Sequence, residues 1–272
     1  MKALIDGDIV VYRGAASAEN DDSWIAQARA DQMIQDILAD TGADSYQVYL
    51  TGSGNFRREL TETYKANRPD SRPKHWQVVR EFLVTQHKAV VCDGFEADDQ
   101  LGIDQDKERG TTVIASIDKD LLMIPGRHYN FVKKEFKEVT HDQGLKALYM
   151  QTLVGDRSDN IIGVAGIGPV KAAKVLDPLL PEEYYEACRE LYNDDDRYHL
   201  NLKLLYIWQK PNDIWEPPRG EGAVLGTSAC GEPPNSPKGS RGRSPDSGEA
   251  DPTAVEGCGA PATLERRNTN ET

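Results

Sequence analysis

The stretch Thr112-Val113-Ile114-Ala115-Ser116-Ile117-Asp118-Lys119-Asp120 joins an apolar, β-branched run to two closely spaced acids. An apolar run without polar alternation is typical of a strand that is buried on both faces, as in the middle of a parallel sheet. In open parallel sheets, functional sites form beyond the carboxyl ends of the strands. The stretch therefore predicts an α/β fold with acidic side chains at one edge of its sheet.

Short apolar runs alternate with helical patterns through the first half of the chain, which is the order expected for a sheet flanked by helices. From His141 onward the pattern becomes helical, with two short helical pieces around a Gly-Ile-Gly-Pro turn. We predict an α/β domain over residues 1–140 and a smaller helical unit over residues 141–210. Predicted strands are Leu4-Ile5, Tyr46 to Leu50, Ala89 to Cys92 and a hairpin within 129–139, and predicted helices lie at 22–42, near 76–83, from Glu96, and at 141–153, 182–192 and 198–208.

The end of the chain has a different composition. Residues 211–272 are rich in Pro, Gly and Ser and show little apolar periodicity, so we expect a disordered tail that cannot bury enough surface to offset chain entropy. A membrane span is not expected, because the sequence has no run of about 18 apolar residues. Its four cysteines are widely spaced and form no C-x-x-C pair, which favours a reducing cytoplasm over a disulfide framework or a zinc site.

A net charge of −13 taken alone argues against nucleic-acid binding, because such binding relies on Lys and Arg meeting phosphates. The charge is unevenly distributed, however. Residues 55–80 contain seven basic and three acidic side chains, a local net charge of +4. The acids are concentrated elsewhere, where bound cations could offset them.

Four acidic clusters lie where predicted strands end or helices begin. Each cluster alone has an ordinary explanation as a turn or a helix cap, but their ordered recurrence favours convergence at one edge of the sheet. Packed carboxylates repel one another unless cations intervene, and hard oxygen ligands suit Mg²⁺ or Mn²⁺. We interpret Asp8, Asp93, Asp104 and Asp106 as surface acids. The clusters are Asp6-Gly7-Asp8, Glu96-Ala97-Asp98-Asp99, Asp118-Lys119-Asp120 and Asp156-Arg157-Ser158-Asp159.

Two further segments carry groups suited to phosphate. Phe56-Arg57-Arg58 and Tyr64-Lys65-Ala66-Asn67-Arg68 combine bases with aromatic rings that can stack on a nucleobase, although a solvated basic helix face is an open alternative. The other segment surrounds the Gly-Ile-Gly-Pro turn. Gly166 and Gly168 permit a tight turn there, and Pro169 suits the first turn of a helix whose free N–H groups can face a phosphate. Lys171 and Lys174 add positive charge there.

Taken together, these pieces resemble the 5′-nuclease, or flap endonuclease-like, family, which includes phage 5′–3′ exonucleases and the 5′-nuclease domain of bacterial DNA polymerase I. The pieces occur in the family's order across about residues 1–180. They are Ile5-Asp6-Gly7, Phe56-Arg57, Tyr64-Lys65-Ala66-Asn67-Arg68, Gly94-Phe95-Glu96-Ala97-Asp98-Asp99, Ser116-Ile117-Asp118-Lys119-Asp120, Gly155-Asp156-Arg157-Ser158-Asp159-Asn160 and the Gly-Ile-Gly-Pro turn.

The resemblance implies a PIN-like, mostly parallel sheet flanked by helices, a basic arch near residues 55–80, and a helix-three-turn-helix DNA-binding subdomain. It implies catalysis by Lys65 and Arg68, and DNA contacts from these two and from Arg57, Tyr64, Gly166, Gly168, Lys171 and Lys174. Two Mg²⁺ or Mn²⁺ ions and a K⁺ ion at the glycine turn are the implied cofactors. The implied metal ligands are Asp6, Glu96 and Asp98 in one region, and Asp99, Asp118, Asp120, Asp156 and Asp159 in the other.

The expected activity is therefore hydrolysis of DNA phosphodiester bonds by a monomeric 5′–3′ exonuclease or flap endonuclease, in replication or repair. DNA with 5′ ends, flaps or nicks is the expected partner, and RNA–DNA hybrids are a further candidate. One departure leaves an alternative open: residues 50–55 lack the acid that many relatives carry there. A DNA-junction-binding protein with weak or no catalysis is the second hypothesis, and a metal-dependent phosphatase for small molecules is the third.

Overall fold

A computed structural model describes residues 1–68 and 71–218. Its centre is a six-stranded sheet in the order β3-β2-β1-β4-β5-β6. All neighbouring strands are parallel except β5 and β6, which form the predicted antiparallel hairpin. The fold is therefore the mostly parallel α/β architecture expected from the sequence. The strands are β1 (Lys2–Asp6), β2 (Ser45–Thr51), β3 (Val90–Cys92), β4 (Thr112–Ala115), β5 (Gly126–Asn130) and β6 (Glu135–Val139).

Helices cover both faces of this sheet. Successive residues of a strand point to opposite faces, so the continuous apolar runs of β1 and β4 serve two cores. Ala3 and Ile5 belong to the core on one face, and Leu4 belongs to the core on the other. The helices of the sheet region are α1 (Gly7–Ser17), α2 (Ser23–Thr41), α3 (Phe56–Leu60), α4 (Trp76–Gln86) and α5 (Ala97–Lys107), followed by a short 3-10 helix (Asp120–Met123).

The ends of α1 and α2 depend on glycine. Helix α2 stops where predicted, because Gly42 takes a left-handed φ of +64° and its N–H donates to the carbonyl of Leu38. Helix α1 is missing from the sequence-based expectation. It begins directly at the end of β1, where a Cβ on Gly7 would lie 2.5 Å from the carbonyl oxygen of Tyr49. Only glycine lets this helix start so close to β2.

The second half of the described chain is helical and shares a hydrophobic core with the sheet. Leu4 and Ile114 of the sheet belong to the same buried cluster as Leu148, Tyr198 and Trp215. The proposed domain boundary at residue 140 therefore does not coincide with a break in the core. The elements are α6 (His141–Val154), β7 (Gly155–Asp156), β8 (Ile161–Ile162), α7 (Pro169–Leu176), a 3-10 turn (Pro181–Glu183), α8 (Tyr184–Tyr192) and α9 (Asp195–Leu205).

Two expectations about this half need correction. The expected helical piece just before the glycine turn is instead the short hairpin of β7 and β8, because Gly155, at φ +77°, ends α6 and reverses the chain. Residues 211–218 do not belong to a disordered tail, because Trp215 is buried in the core and Tyr206 Oη donates to Asp213. Residues 219–272, the remainder of that expected tail, lie outside the described residues.

A buried ion pair joins three parts of the chain. The guanidinium of Arg57, on α3, donates two hydrogen bonds of 2.7 and 2.8 Å to the carboxylate of Asp99, on α5. Arg57 also donates to the carbonyls of Leu204 and Tyr206, and the carboxylate accepts from the amide of Trp208. The pair thereby ties the segment after α9 to the sheet region.

We predict that Asp99→Asn lowers the free energy of unfolding by about 3–5 kcal/mol, because it leaves a buried guanidinium without its counter-ion. Urea denaturation at neutral pH measures this effect. Arg58→Met is the control, because Arg58 is the exposed neighbour of Arg57, and we expect a change within about 0.5 kcal/mol. A loss for Asp99→Asn no larger than that of the control would contradict the structural role of the pair.

Candidate active site

The site begins at the carboxyl ends of the two central strands. The strand order reverses between β1 and β4, which is the position where crevices form in open α/β sheets. Asp6 ends β1, is buried, and caps α1 by accepting a 3.2 Å hydrogen bond from the amide of Ile9. Its other oxygen accepts a 2.7 Å hydrogen bond from the hydroxyl of Ser116, just beyond β4. The ends of both strands are thus joined through one carboxylate.

Asp98 and Asp118 lie near enough to Asp6 for their charges to act on one another. The amide of Asp118 donates at 3.0 Å to the hydroxyl of Ser116, which itself donates to Asp6. Burial, together with the charges of Asp8 and Asp118, raises the pKa of Asp6 to about 7. Burial also raises the pKa of Asp98, and the nearby charges of Asp6, Asp118 and Glu96 add to this effect. These carboxylates therefore destabilise one another when all are ionised.

Asp120 and Asp156 extend this group. Partial burial and the charge of Asp118 raise the pKa of Asp120 to about 6. Burial alone would raise the pKa of Asp156, but its carboxylate accepts hydrogen bonds of 2.7 and 2.6 Å from the amide and hydroxyl of Ser158, and the net shift is downward. Gln151 donates to the second oxygen of Asp156 at 3.2 Å.

Glu96 and Asp159 stand opposite the basic side chains. Lys65 donates to Glu96, and its Nζ lies 3.6 Å from Asp159. Arg68 donates to Asp159 at 2.5 Å, and Tyr64 Oη donates to both acids at 3.0 and 3.1 Å. Burial raises the pKa of Glu96, but the charges of Lys65 and then Arg57 outweigh it and lower the pKa. Lys65 and Arg68 thus lie directly beside the acidic group.

The part of the expected arch that contains Lys65 packs against the rest of the protein. Residues 61–68 form a series of turns that pack on residues 157–160. The amide of Lys65 donates to the carbonyl of Asp159 at 2.9 Å, and Asn160 donates to the carbonyl of Thr63 at 2.9 Å. Lys65 has a left-handed φ of +58°, which is costly for a side chain-bearing residue. These contacts hold the backbone of Lys65 in that conformation.

Three expected roles need correction, because burial removes the side chains from any ligand. Arg57 is buried against Asp99 and backbone carbonyls, so it has a structural role and no DNA contact. Each oxygen of Asp99 accepts from Arg57 and also from a backbone amide, which leaves Asp99 no position for a metal. Tyr64 is buried, so its ring cannot stack on a base.

The glycine turn lies apart from these acids in sequence and precedes α7. Gly166 has a left-handed φ of +76°, and Gly168 caps a helix that begins with Pro169. Lys171 donates to the carbonyl of Gly166 at 2.8 Å, and Lys174 is exposed. Lys171 therefore lies near the amides at the start of α7, whereas Lys174 lies in the last turn of this helix.

Sequence reasoning missed two residues at the site. Ser116 is the first polar residue after the apolar run of β4, and this position was the signal for its contact with Asp6. Asp8 was interpreted as a surface acid, but it lies on α1, and its charge is among those that raise the pKa of Asp6. The signal for α1 was the helical spacing of Val10, Val11 and Gly14, which are all buried.

The donor chemistry of the site fits divalent cations. Asp6, Asp98 and Asp118 present only oxygen donors, and their mutual repulsion would be relieved by a cation. Across residues 1–68 and 71–218, no three acidic, His or Cys side chains form a ready-made metal cage. A cation would compete with Lys65 for Glu96, because these side chains are ion-paired. The residues therefore fit a divalent cation as a set of hard ligands.

We predict that, in EDTA, Asp6→Asn is more stable than the parent protein at pH 8. A carboxylate whose pKa is raised by folding destabilises the folded state as pH rises through that pKa, here about 7. The advantage of Asp6→Asn should therefore shrink on acidification, by on the order of 2 kcal/mol between pH 8 and pH 5. Urea denaturation across this pH range measures it.

Asp93→Asn is the control for that series. Hydrogen bonds from the amide and hydroxyl of Ser53 lower the pKa of Asp93. This carboxylate therefore contributes stability above its unfolded-state pKa, and its replacement should not stabilise the protein at pH 8. A stability of Asp6→Asn equal to or below that of the parent at pH 8 would contradict the proposed repulsion.

Comparison with known proteins supports the same family. Residues 2–150 match the 5′-3′ exonuclease, N-terminal resolvase-like domain. The chain is 31% identical over 169 residues to DNA polymerase I of Caldicellulosiruptor bescii, covering 54% of this chain and 19% of the polymerase. It is 32% identical over 148 residues to a 5′-3′ exonuclease of Mycoplasma genitalium, covering 46% of this chain and 50% of that protein. The chain thus spans at most about half the length of these relatives.

The fold also resembles a solved structure, that of a bacteriophage T5 flap endonuclease in a pseudo-enzyme-product complex with DNA and metal ions. The TM-score is 0.58 at 18% identity, and the match covers 78% of this chain and 90% of the phage protein. Within the described part of the chain, no helix has both the length and the apolar character needed to cross a membrane. Because the matched domain covers more than half of its residues, the chain belongs to the family of the 5′-3′ exonuclease N-terminal, resolvase-like domain.

Proposed function

We propose that the protein is a divalent-metal-dependent hydrolase that cleaves DNA phosphodiester bonds as a 5′–3′ exonuclease or flap endonuclease. The observation that carries this proposal is the charge interaction among Asp6, Asp98 and Asp118, together with the pairing of Lys65 with Glu96 and of Arg68 with Asp159. The family of the matched domain supports the same activity. Magnesium or manganese is the proposed cofactor, with two ions held by the carboxylates.

The acidic residues divide into two proposed ligand sets. Asp6, Glu96 and Asp98 hold one cation region, and Asp118, Asp120 and Asp156 hold the other, with Asp159 acting through its contacts with the bases. Bound divalent cations would supply water activation and charge stabilisation for phosphodiester cleavage. Ser116 orients Asp6, and Ser158 orients Asp156, through the hydrogen bonds that these hydroxyls donate.

Lys65 and Arg68 act on the phosphate in this proposal. Both bases now pair with acids, and a phosphate entering the site would compete for the same donors. Lys65 provides a point charge and Arg68 a fork of donors, which stabilise the negative charge on the reacting phosphate. The turns of residues 61–68 fix the backbone positions of Lys65 and Arg68, from which these side chains extend.

The turn at Gly166–Gly168 is the proposed grip on duplex DNA. The free N–H groups at the start of α7 suit a backbone phosphate. Lys171 and Lys174 add positive charge that would displace counterions from the DNA on binding. We also propose that K⁺ binds at this turn. The proposed substrates are DNA with 5′ ends, flaps or nicks and RNA–DNA hybrids, and the proposed enzyme is a monomer. In this arrangement the turn holds the duplex while the acidic edge receives the strand that is cut.

A DNA-junction-binding protein with weak or no catalysis is the second candidate. The lack of a carboxylate in residues 50–55 favours it, because a metal region with fewer ligands binds its cation less tightly. This candidate predicts equal junction binding in EDTA and in Mg²⁺, and negligible cleavage in both.

We predict that the protein cleaves 5′-labelled flap and nicked DNA in Mg²⁺ or Mn²⁺, and that Lys65→Ala lowers the single-turnover cleavage rate by about 10²-fold, because a charge that stabilises the transition state is lost. Lys74→Ala is the matched control from the same basic segment, with an exposed side chain, and its rate should stay within about threefold of the parent. Cleavage by the parent no faster than by Asp118→Ala/Asp120→Ala would reject catalysis. Equal rates for Lys65→Ala and Lys74→Ala would reject the role of Lys65.

We predict that Lys171→Ala/Lys174→Ala weakens binding to flap DNA without lowering the single-turnover rate at saturating protein. The slope of log affinity against log salt concentration should also become shallower by about one or two, because phosphate contacts are removed. Fluorescence anisotropy in Ca²⁺ or EDTA at several salt concentrations measures both effects. Lys133→Ala, on the exposed hairpin between β5 and β6, should leave affinity unchanged. Identical salt slopes for the two variants would contradict the proposed grip.

A further inference from the structure

The end of β2 has no room for an acid at one of its positions. At Gly52, a Cβ would lie 2.3 Å from a carboxylate oxygen of Asp93 and 2.7 Å from the carbonyl oxygen of Cys92. Asp93 keeps this place because it accepts hydrogen bonds from the amide and hydroxyl of Ser53 at 2.7 and 2.8 Å. A side chain at position 52 would displace Asp93, so this position cannot supply a carboxylate to the site.

Helix α1 brings such a carboxylate to the end of β2. The close approach of Gly7 to the carbonyl of Tyr49 places the first turn of the helix directly against the strand. Asp8, the next residue, accepts a 3.1 Å hydrogen bond from the amide of Thr51, the last residue of β2. Its charge acts on Asp6, and the charge of Glu96 acts on it. The amide of Ala97, the residue between Glu96 and Asp98, donates to the hydroxyl of Thr51 at 3.0 Å. Asp8 and the start of α5 therefore meet at Thr51.

The carboxylate of Asp8 keeps capacity for a further partner. Arg80 donates to the carbonyl of Thr51 at 2.7 Å, but its Nη1 lies 3.6 Å from Asp8 Oδ1 and has no hydrogen-bond partner. This contact is longer than a hydrogen bond, and the side chain of Asp8 is 38% exposed. Asp99 is the contrast, since both of its oxygens are fully used inside the protein.

We propose that Asp8 supplies the carboxylate that residues 50–55 lack, and that it binds a divalent cation together with Asp6 and Glu96. The amide of Thr51 fixes one oxygen and Arg80 holds the other loosely, so that Oδ1 is the atom directed to the cation. Thr51 and Arg80 are positioning groups in this arrangement. The inference rests on the proposed function, because it assigns a ligand to the same metal site.

Mn²⁺ binding without DNA tests the proposal. Free Mn²⁺ is measured by electron paramagnetic resonance during titration of the parent, Asp8→Asn and Asp93→Asn at neutral pH. Asp8→Asn keeps an oxygen that can accept from Thr51 but removes the charge, and it should lower the affinity of at least one Mn²⁺ by about tenfold or more. Asp93→Asn removes a neighbouring acid outside the site and should change the affinity less than about twofold.

The outcomes separate this inference from the proposed function. No Mn²⁺ binding by the parent protein would reject the metal site and with it the proposed function. Binding by the parent that is unchanged in Asp8→Asn, or reduced equally in Asp93→Asn, would reject only the role of Asp8. Thermal melts in EDTA establish that each variant is folded, and Asp8→Ser replaces Asp8→Asn in the titration if the latter is not.

Discussion

The ion pair between Arg57 and Asp99 is the interaction on which the arrangement of the site depends. It is inaccessible to solvent and accepts no substitute partner, because every donor and acceptor around it is already used. Asp99 also accepts from the amide of Glu96, so the pair fixes the first turn of α5. Glu96 and Asp98 belong to the same turn. In this acidic motif Asp99 therefore stabilises the fold, whereas Glu96 and Asp98 face the site.

Electrostatics set a second constraint. The carboxylates at the sheet edge are close enough to raise the pKa of Asp6 and Asp98, while Lys65 and Arg68 neutralise Glu96 and Asp159. The protein therefore has balanced charge on one side of the site and an excess of negative charge on the other. In a chain with a net charge of −13, the basic side chains beside the acids are already paired, so a phosphate would compete with Glu96 and Asp159 for them.

Much of this was predictable because local rules and tertiary packing agree. The apolar runs of β1 and β4 predict the central strands, Gly42 predicts the end of α2, and the acids after the strands predict which edge of the sheet carries the site. The predictions that were wrong concern residues whose role depends on how deeply the fold buries them. Nothing in the sequence distinguishes Asp99 from Asp98, or the buried Arg57 from the exposed Arg58, because their fates depend on the carbonyls and amides supplied by residues 204–208. Asp8 was misjudged for a related reason, since α1 was not foreseen.

The hydrophobic core shared by the sheet and the helices beyond residue 140 has a consequence for substrate geometry. Leu148 and Tyr198 pack in the same cluster as Leu4 and Ile114, and interiors packed in this way deform little. The glycine turn and the acidic edge are then separated by a fixed span instead of a hinge. For the proposed activity, this fixed distance determines the cleavage position, because the position of the duplex on the turn selects which phosphate reaches the acidic edge.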